Sequence, residues 1–282
     1  MPTETVYGIG ASALNPAAVR KTFELKNRPA ENPLIVHVAS LEAATDLVVS
    51  IPEAAKLLAA AFWPGPMTLV LPKTPAVPDE VTGGLATVAI RVPRSVEALA
   101  VLTEAGIPVT APSANTFMGL SPTRAEHISP EILDGLACVI DGGPCDVGVE
   151  STVIDCTGPE LAILRPGAIT AALIEARLGL KVSYSIDVVR RSPGMYPRHY
   201  SPRTPMRLVE RLGPSDAGIG FGSPQSPRQF QLPDDPSGYS RTLYASLYAL
   251  DQMGHKEILV ESPPSDPEWE AVWDRLNKAV GN

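Results

Sequence analysis

The residues of this chain that could do chemistry are cations and hydroxyls standing where apolar residues are the norm. Lys26 and Arg28 close a predicted helix beside Pro29, and Asn32 and His37 follow. Arg91 lies between Ile90 and Val92 in the run VAIRVP, and Arg165 precedes Pro166-Gly167 in LAILRPG. Hydroxyls and amides gather in Thr3-Glu4-Thr5 with Tyr7, in Ser113-Ala114-Asn115 with Ser121, and in Ser151-Thr152. Most have an ordinary explanation. Lys26 and Arg28 can favour a helix dipole, Thr3 and Thr5 can be strand residues, His37 can be a satisfied core histidine, and Ser113, Asn115 and Arg165 can sit in turns. Arg91 is harder to explain that way, because a charge in mid-strand must find an anion or several acceptors. Taken together, four cations and several hydroxyls at element ends suit a ligand carrying phosphates and a carboxylate, bound in a cleft. The residues by themselves support a site for a nucleotide or another polyanionic small molecule, and no more.

Other chemistries lack their signatures. There is no GxxxxGK[ST] and no GxGxxG between a strand and a helix; the glycine-rich GIGASA and GIGFGS are weak evidence alone. Neither a nucleophile elbow nor HExxH occurs. Cys138, Cys145 and Cys156 have no zinc-type spacing and read as reduced thiols, which makes a cytoplasmic compartment the default. A net charge of -8 and a pI near 5.1 argue against a broad nucleic-acid footprint, so no stable nucleic-acid binding is expected. No run of 18 apolar residues predicts a membrane span, and MPTETVYG carries no secretory signal.

The elements that must hold these groups follow from periodicity. Asn15-Pro16 caps a helix running to about Lys26. PLIVHVA, MTLVLP, VAIRVP, VTAPSAN, CVIDGG, STVID and LAILRPG read as strands, the fourth running into a polar turn. Ser40 is expected to cap the helix LEAATDLV, and further helices are expected over 52–62, 95–106 and 169–179. The 282 residues therefore predict an α/β arrangement: a twisted mixed sheet with flanking helices over 1–185, and a small C-terminal α/β domain over 206–282. Between them, 186–205 is a proline-rich linker; SPGMYPRHYSPRTP can be neither a regular helix nor a central strand. In the second domain MRLVER, GIGFG and EILVES read as strands, and YSRTLYASLYALDQMG and PEWEAVWDRLNKAVG as helices.

At these residues the chain resembles the threonylcarbamoyl-AMP synthases, whose catalytic part is a YrdC-like domain. The strings are PTETVYGIG, KNRPAENPLIVHV, WPGPMTLVL, VAIRVP, APSAN with SPT, and ESTVID with LRPG, in family order over about 165 residues. SPGMYPRHYSPRTP resembles the connector of the two-domain form, whose C-terminal domain is Rossmann-like. The resemblance implies an enzyme, a nucleotidyltransferase that turns L-threonine, bicarbonate and ATP into threonylcarbamoyl-AMP and pyrophosphate. A downstream transferase complex then passes the threonylcarbamoyl group to tRNA. It implies that Thr5, His37, Arg91, Ala111 and Ser151 hold threonine. It implies that Lys26, Arg28, Asn32, Thr87, Ser113, Asn115, Ser121 and Arg165 hold ATP, with His199 or Tyr200 folding over the nucleotide. Lys26, Arg28, Ser113 and Asn115 are the expected catalytic set. Mg2+ is expected to arrive with ATP, with no metal site built from the protein. Family members carry a helix and a strand before PTETVYG, so a sheet element is expected to be missing here, and the C-terminal domain is expected to be short. Two competing expectations are weaker: a carbamoyl-transfer enzyme, disfavoured because paired CxxC motifs are absent, and a non-enzymatic RNA-binding protein, disfavoured by the acidic balance.

Overall fold

The computed structural model describes residues 1–184 and 198–281. Residues 186–197 of the expected linker lie outside the described residues; 198–205 lie within them. The first unit contains β1 (Ala11–Ser12), α1 (Pro16–Lys26), β2 (Ile35–His37), α2 (Glu53–Phe62), β3 (Met67–Pro72), α3 (Asp79–Thr82), β4 (Thr87–Arg91) and α4 (Val96–Ala105). It continues with β5 (Val109–Thr110), α5 (Pro130–Leu133), β6 (Thr152–Asp155), β7 (Leu161–Arg165), α6 (Ala171–Leu178) and β8 (Val182–Tyr184). Local chemistry sets several of these boundaries. The Asn15 side chain accepts from the Ala17 and Ala18 amides and Pro16 opens α1, which closes at Asn27 in a left-handed conformation. Ser95 caps α4, and Gly106 ends it with a positive φ.

The strands form an eight-stranded mixed sheet in the order β1-β5-β2-β4-β3-β6-β7-β8. Its two faces follow from alternation. Val36, Ile90, Leu69, Ile154 and Ile163 stand in register on neighbouring strands and all enter the main apolar core, with Val19 and Phe23 of α1 and Leu58 and Phe62 of α2. The residues between them face the other way. Ile35, Val70, Ala89, Val153 and Leu164 form a small separate cluster on that opposite face. One or two residues further along the strands, the same face turns polar, with Thr68, His37 beside Arg91, and Arg165 opposite Val153. This is the face that carries the candidate site.

The second unit contains β9 (Met206–Val209), β10 (Gly218–Gly220), β11 (Gln229–Gln231), α7 (Pro236–Gln252), β12 (Ile258–Glu261) and α8 (Glu270–Val280). Its four strands are all parallel, in the order β11-β10-β12-β9. The two units share a core in which Val6, Leu120 and Val149 pack with Tyr200, Tyr244 and Leu247. Tyr248 donates to the Leu120 carbonyl at 2.7 Å, and its ring stacks on His127 at 4.2 Å. No helix among the described residues is long and apolar enough to cross a membrane.

Some expected elements differ. CVIDGG forms no strand; Val139 is exposed, and the Asp141 carboxylate is used to accept from Gly143 N and the Tyr7 hydroxyl. Ser40 does accept from Ala43 N, but the turn that follows, Glu42–Leu47, is a 3-10 helix. Thr3 and Thr5 lie in no strand. The Thr3 hydroxyl bonds Thr5 Oγ1 and the Val6 carbonyl, closing a tight buried turn. The short edge strands β1 and β8, the strand β11, and the single-turn helices α3 and α5 were not expected from the pattern.

Candidate active site

The polar end of the sheet face is the wall of one cleft. Thr5, Arg28, His37, Arg91, Ala111, Ser113, Ser151, Arg165, His199 and Tyr200, all singled out in the sequence, line it. Four connections bring them together: the N-terminal turn, the segment after α1, the loop after β5, and the ends of β2, β4 and β7.

Arg91 is the most constrained of the cations. Its Nε donates to the Gly65 carbonyl at 3.2 Å, Nη1 donates to Thr5 Oγ1 at 2.9 Å, and Nη2 stands 2.7 Å from Glu4 Oε1. The strand-centre charge therefore has an internal counter-ion, Glu4, which is itself buried. Burial would raise the Glu4 carboxyl, but the Arg91 charge and hydrogen bonds outweigh it and hold the group below its usual range. A guanidinium has five N–H groups, so Arg91, which lines the cleft, has hydrogen-bonding capacity beyond these three contacts.

Beside it, burial and then the Arg91 charge push the His37 imidazole down to about 3, which keeps it neutral; its Nδ1 is buried without a partner. Arg165 binds the Ser151 backbone oxygen through Nε at 3.1 Å and Nη2 at 3.0 Å, and Nη2 also reaches Ser151 Oγ at 3.1 Å. Ser151 Oγ in turn bonds Thr68 Oγ1 at 2.7 Å. Ser151 is thus fixed from both sides. Arg28 Nη2 donates to the Pro33 carbonyl at 3.0 Å, bracing the segment that leads into β2.

Lys26 lies behind the cleft rather than on its wall. Its fully buried Nζ donates to the backbone oxygens of Ser113 and Asn115, each at 2.5 Å, so it ties the Ser113–Asn115 loop to the end of α1. Burial, followed by the charge of Arg28, pulls its ammonium well below the ordinary lysine value. The Asn115 amide donates to the Thr116 and Gly119 carbonyls and shapes the same loop. Asn32 is buried with both side-chain polar atoms unpartnered. Ser121 is fully buried, and its hydroxyl donates to Glu150. Thr87 is not brought in. It stands half-buried at the opposite end of β4 from Arg91, opposite Pro72.

The roof is the segment that begins at Arg198. His199 and Tyr200 are both buried, their rings 4.0 Å apart, and His199 meets Phe117 edge-on at 6.0 Å. Backbone bonds hold the segment on two sides: Ser201 N to the Met118 carbonyl at 2.9 Å, and His199 N to the Lys278 carbonyl at 3.0 Å. Tyr200 adopts a left-handed φ of 60°. Burial lowers the His199 imidazole to about 3, and both His199 Nδ1 and the Tyr200 hydroxyl are buried without partners.

Two further charged residues were not singled out in the sequence. Glu150 lines the cleft, and Arg275 of α8 lies directly behind it. Glu150 stands next to Ser151 in the string ESTVID, where a carboxylate at the mouth of an apolar strand was a usable signal. Arg275 falls in the buried stripe of α8 with Val272, Leu276 and Ala279, so an arginine at a core position was its signal. Among the described residues no group of three or more His, Cys, Asp or Glu side chains could hold a metal ion. The carboxylates of Glu4 and Glu150 are each paired with an arginine.

Comparison with known proteins agrees with this geometry. Residues 1–167 match the Sua5/YciO/YrdC family model, described as "Telomere recombination". Residues 169–281 match the model described as "Threonylcarbamoyl-AMP synthase, C-terminal domain". Threonylcarbamoyl-AMP synthase of Pyrococcus abyssi is 41% identical, with 99% of this chain and 89% of that protein covered. The protein of the same name from Bacillus subtilis is 40% identical, with 99% and 88% covered. The solved structure of P. abyssi Sua5 complexed with L-threonine superimposes with a TM-score of 0.89 at 40% identity, covering 99% of this chain and 89% of that one.

Proposed function

The chain belongs to the threonylcarbamoyl-AMP synthase family, and from that premise we infer that its cleft joins L-threonine, bicarbonate and ATP into threonylcarbamoyl-AMP, with pyrophosphate and water released. The observation that carries this reading is the meeting of Arg28, Arg91, Arg165, Ser113, Ser151 and His37 on one cleft wall. That set suits an amino acid and a polyphosphate bound side by side.

The threonine carboxylate is assigned to the remaining N–H groups of Arg91, beside Thr5. Glu4 keeps that guanidinium oriented and offsets its charge, so the fork is set before the ligand arrives. Neutral His37 can accept a hydrogen bond at Nδ1, and Ser151, held by Arg165 and Thr68, can orient a threonine oxygen. The threonine amine captures carbon dioxide derived from bicarbonate, losing a proton. A carbamate oxygen then attacks the α-phosphorus, forming the new P–O bond as the bond to pyrophosphate breaks. Arg28 and Arg165 face the charge that grows on the leaving group, while Lys26 fixes the Ser113–Asn115 loop from behind. The substrate supplies the nucleophile, so alignment and charge stabilisation are the protein's contribution. With the Glu4 and Glu150 carboxylates already paired to arginines, the described residues of the cleft do not form a magnesium site. Mg2+ is assigned to the triphosphate it would arrive on. Consumption of the product by a separate threonylcarbamoyl transferase that acts on tRNA belongs to the same reading.

The test is mass-spectrometric detection of threonylcarbamoyl-AMP together with pyrophosphate release that requires both threonine and bicarbonate. Pyrophosphate release independent of threonine, or none at all, would remove the reading.

A further inference from the structure

We propose that Arg275, on α8 of the second unit, is a positioning residue for the synthase site, acting through Glu150. It cancels the Glu150 carboxylate, the one that lines the cleft among the described residues, and fixes the backbone that carries Ser151. The inference rests on the proposed reaction and assigns the C-terminal domain a part in it.

The geometry is direct. Arg275 is 1% exposed, and its Nε donates to Glu150 Oε2 at 2.7 Å while Nη2 reaches the Glu150 carbonyl at 3.3 Å. One side chain thus grips both the carboxylate and the backbone of the residue preceding Ser151. The guanidinium also lies over the Tyr200 ring, 5.0 Å from its centroid, so the same group supports the roof. Glu150 accepts further bonds from Ser121 Oγ and, at 3.3 Å, from Tyr244 Oη. Asp274 holds Arg275 Nη1 at 2.5 Å and is itself held by Lys278 at 2.5 Å. The charged and titratable groups around Glu150 are therefore Arg165 of β7, His199 and Tyr200 of the roof, Tyr244 of α7, and Asp274 and Arg275 of α8.

A carboxylate lining a cleft that must take phosphates is a liability unless it is cancelled. Burial would raise the Glu150 carboxyl, but Arg275 first and Arg165 second bring it down to about 2, so it is ionised throughout the working range. Taking away Arg275 leaves that charge facing the ligands. A unit charge roughly 8 Å from a bound phosphate, at an effective dielectric near 20, weakens binding by at most about thirty-fold, and Arg165 still offsets part of it. Glu150 would then take up a proton more readily, and acid would restore binding. A residue that only packed two domains together would give no such pH dependence.

The experiment compares the full-length wild type, Arg275→Met, Glu150→Gln and the double variant. KM and kcat for pyrophosphate release, ATP affinity by calorimetry and melting temperature are measured across neutral and mildly acidic pH. Arg275→Met is expected to raise the KM and Kd for ATP by about ten- to thirty-fold at neutral pH, with kcat changed less and recovery on acidification. The double variant, which removes both charges, is expected to bind ATP close to wild-type strength with a flat pH profile. A folded double variant as weak as Arg275→Met overturns the proposal, as does an Arg275→Met protein that binds normally at all pH values. If Arg275→Met does not fold, the double variant is compared with the wild type, and ATP binding about ten-fold or more weaker overturns the proposal; failure of both to fold would make the role purely structural and also overturns it. Calorimetry separates the two readings, because a wild type that binds ATP without forming the adenylate sinks the reaction but still tests Arg275.

Discussion

Gly167 is where a single methyl group tests how tightly the site is built. It follows Arg165-Pro166 and lies against the loop that carries Glu150 and Ser151. A Cβ placed there would stand 2.3 Å from Thr152 N and 2.7 Å from both the Glu150 carbonyl oxygen and the Ser151 carbonyl carbon. All three are backbone atoms, so no side-chain rotation can relieve the clash. Non-bonded heavy atoms settle near 3.5 Å, so the two segments must part by about 1.2 Å. They are bonded together where they touch, because Thr152 Oγ1 exchanges bonds with Ile169 at 2.8 and 3.0 Å, and Thr152 N is also tied to the Pro66 carbonyl at 3.0 Å. Gly167→Ala should therefore cost about 1–3 kcal/mol as overpacking, which in a chain of this size lowers the melting temperature by about 2–4 °C per kcal/mol. The larger effect falls on chemistry. Displacing Ser151 and the Arg165 fork by about 1 Å should reduce kcat/KM for pyrophosphate release by about a hundred-fold. Gly158→Ala is the control, since its Cβ would find no atom closer than 3.8 Å. A Gly167→Ala protein with wild-type melting temperature and kcat/KM would refute the reasoning.

Other outcomes follow from the same geometry. Arg91→Ala should abolish threonine use and also destabilise the fold by about 3–5 kcal/mol, because Glu4 is left as a bare buried charge. Arg91→Met combined with Glu4→Gln should recover most of that stability but none of the threonine binding, as calorimetric titration with threonine would reveal. His37 and His199, both held at about 3 against an ordinary 6.5, bind fewer protons folded than unfolded between those values. Stability should therefore rise with pH across that window, and fall as acid is added below about pH 6.5. Melting temperatures at pH 5 and 7 check this, and the difference should shrink in His37→Gln; an unchanged melting temperature between them would contradict the buried neutral imidazoles. ATP with threonine should raise the melting temperature of the wild type by mass action, by more than either ligand alone, in a dye-based thermal scan.

Much of this arrangement was legible in the sequence because strand alternation is a local signal. In VAIRVP, Val88 and Ile90 point to the main core, and Ala89 and Arg91 to the opposite face, where Ala89 joins a small apolar cluster and Arg91 lines the cleft. Arg91 was legible as an anion-seeking charge, but its pairing with Glu4 was not, because 87 positions separate them and only folding brings them together. The same distance problem hid Arg275 and Glu150, which are joined across 125 positions. Lys26 was read as a ligand-holding cation, whereas its Nζ is spent on the Ser113 and Asn115 carbonyls; backbone acceptors leave no trace in composition. Thr87, just ahead of the string VAIRVP, was expected in the site only from the resemblance, and it stands at the far end of β4 from Arg91. CVIDGG looked like a strand because its apolar triplet is local, and it failed because no neighbouring strand offered a ladder; Tyr7 and Gly143 took up Asp141 instead. The short edge strands β1 and β8 hold two and three residues, too few to carry a period.

The central sheet interleaves two messages. Along β2 and β4, every second letter enters the main core, while the letters between pass from a small apolar cluster to the cleft wall at His37 and Arg91, so neighbouring positions in one strand answer to different demands. A library randomised only at Val36, Leu69, Val88 and Ile90 should yield proteins graded by solubility. One randomised at His37 and Ser113, with the Arg91–Glu4 pair kept, should yield folded proteins graded by what they bind. The spacing of a pleat thereby lets a position such as His37 drift with the ligand, while Arg91, tied to Glu4, answers to binding and to the scaffold at once.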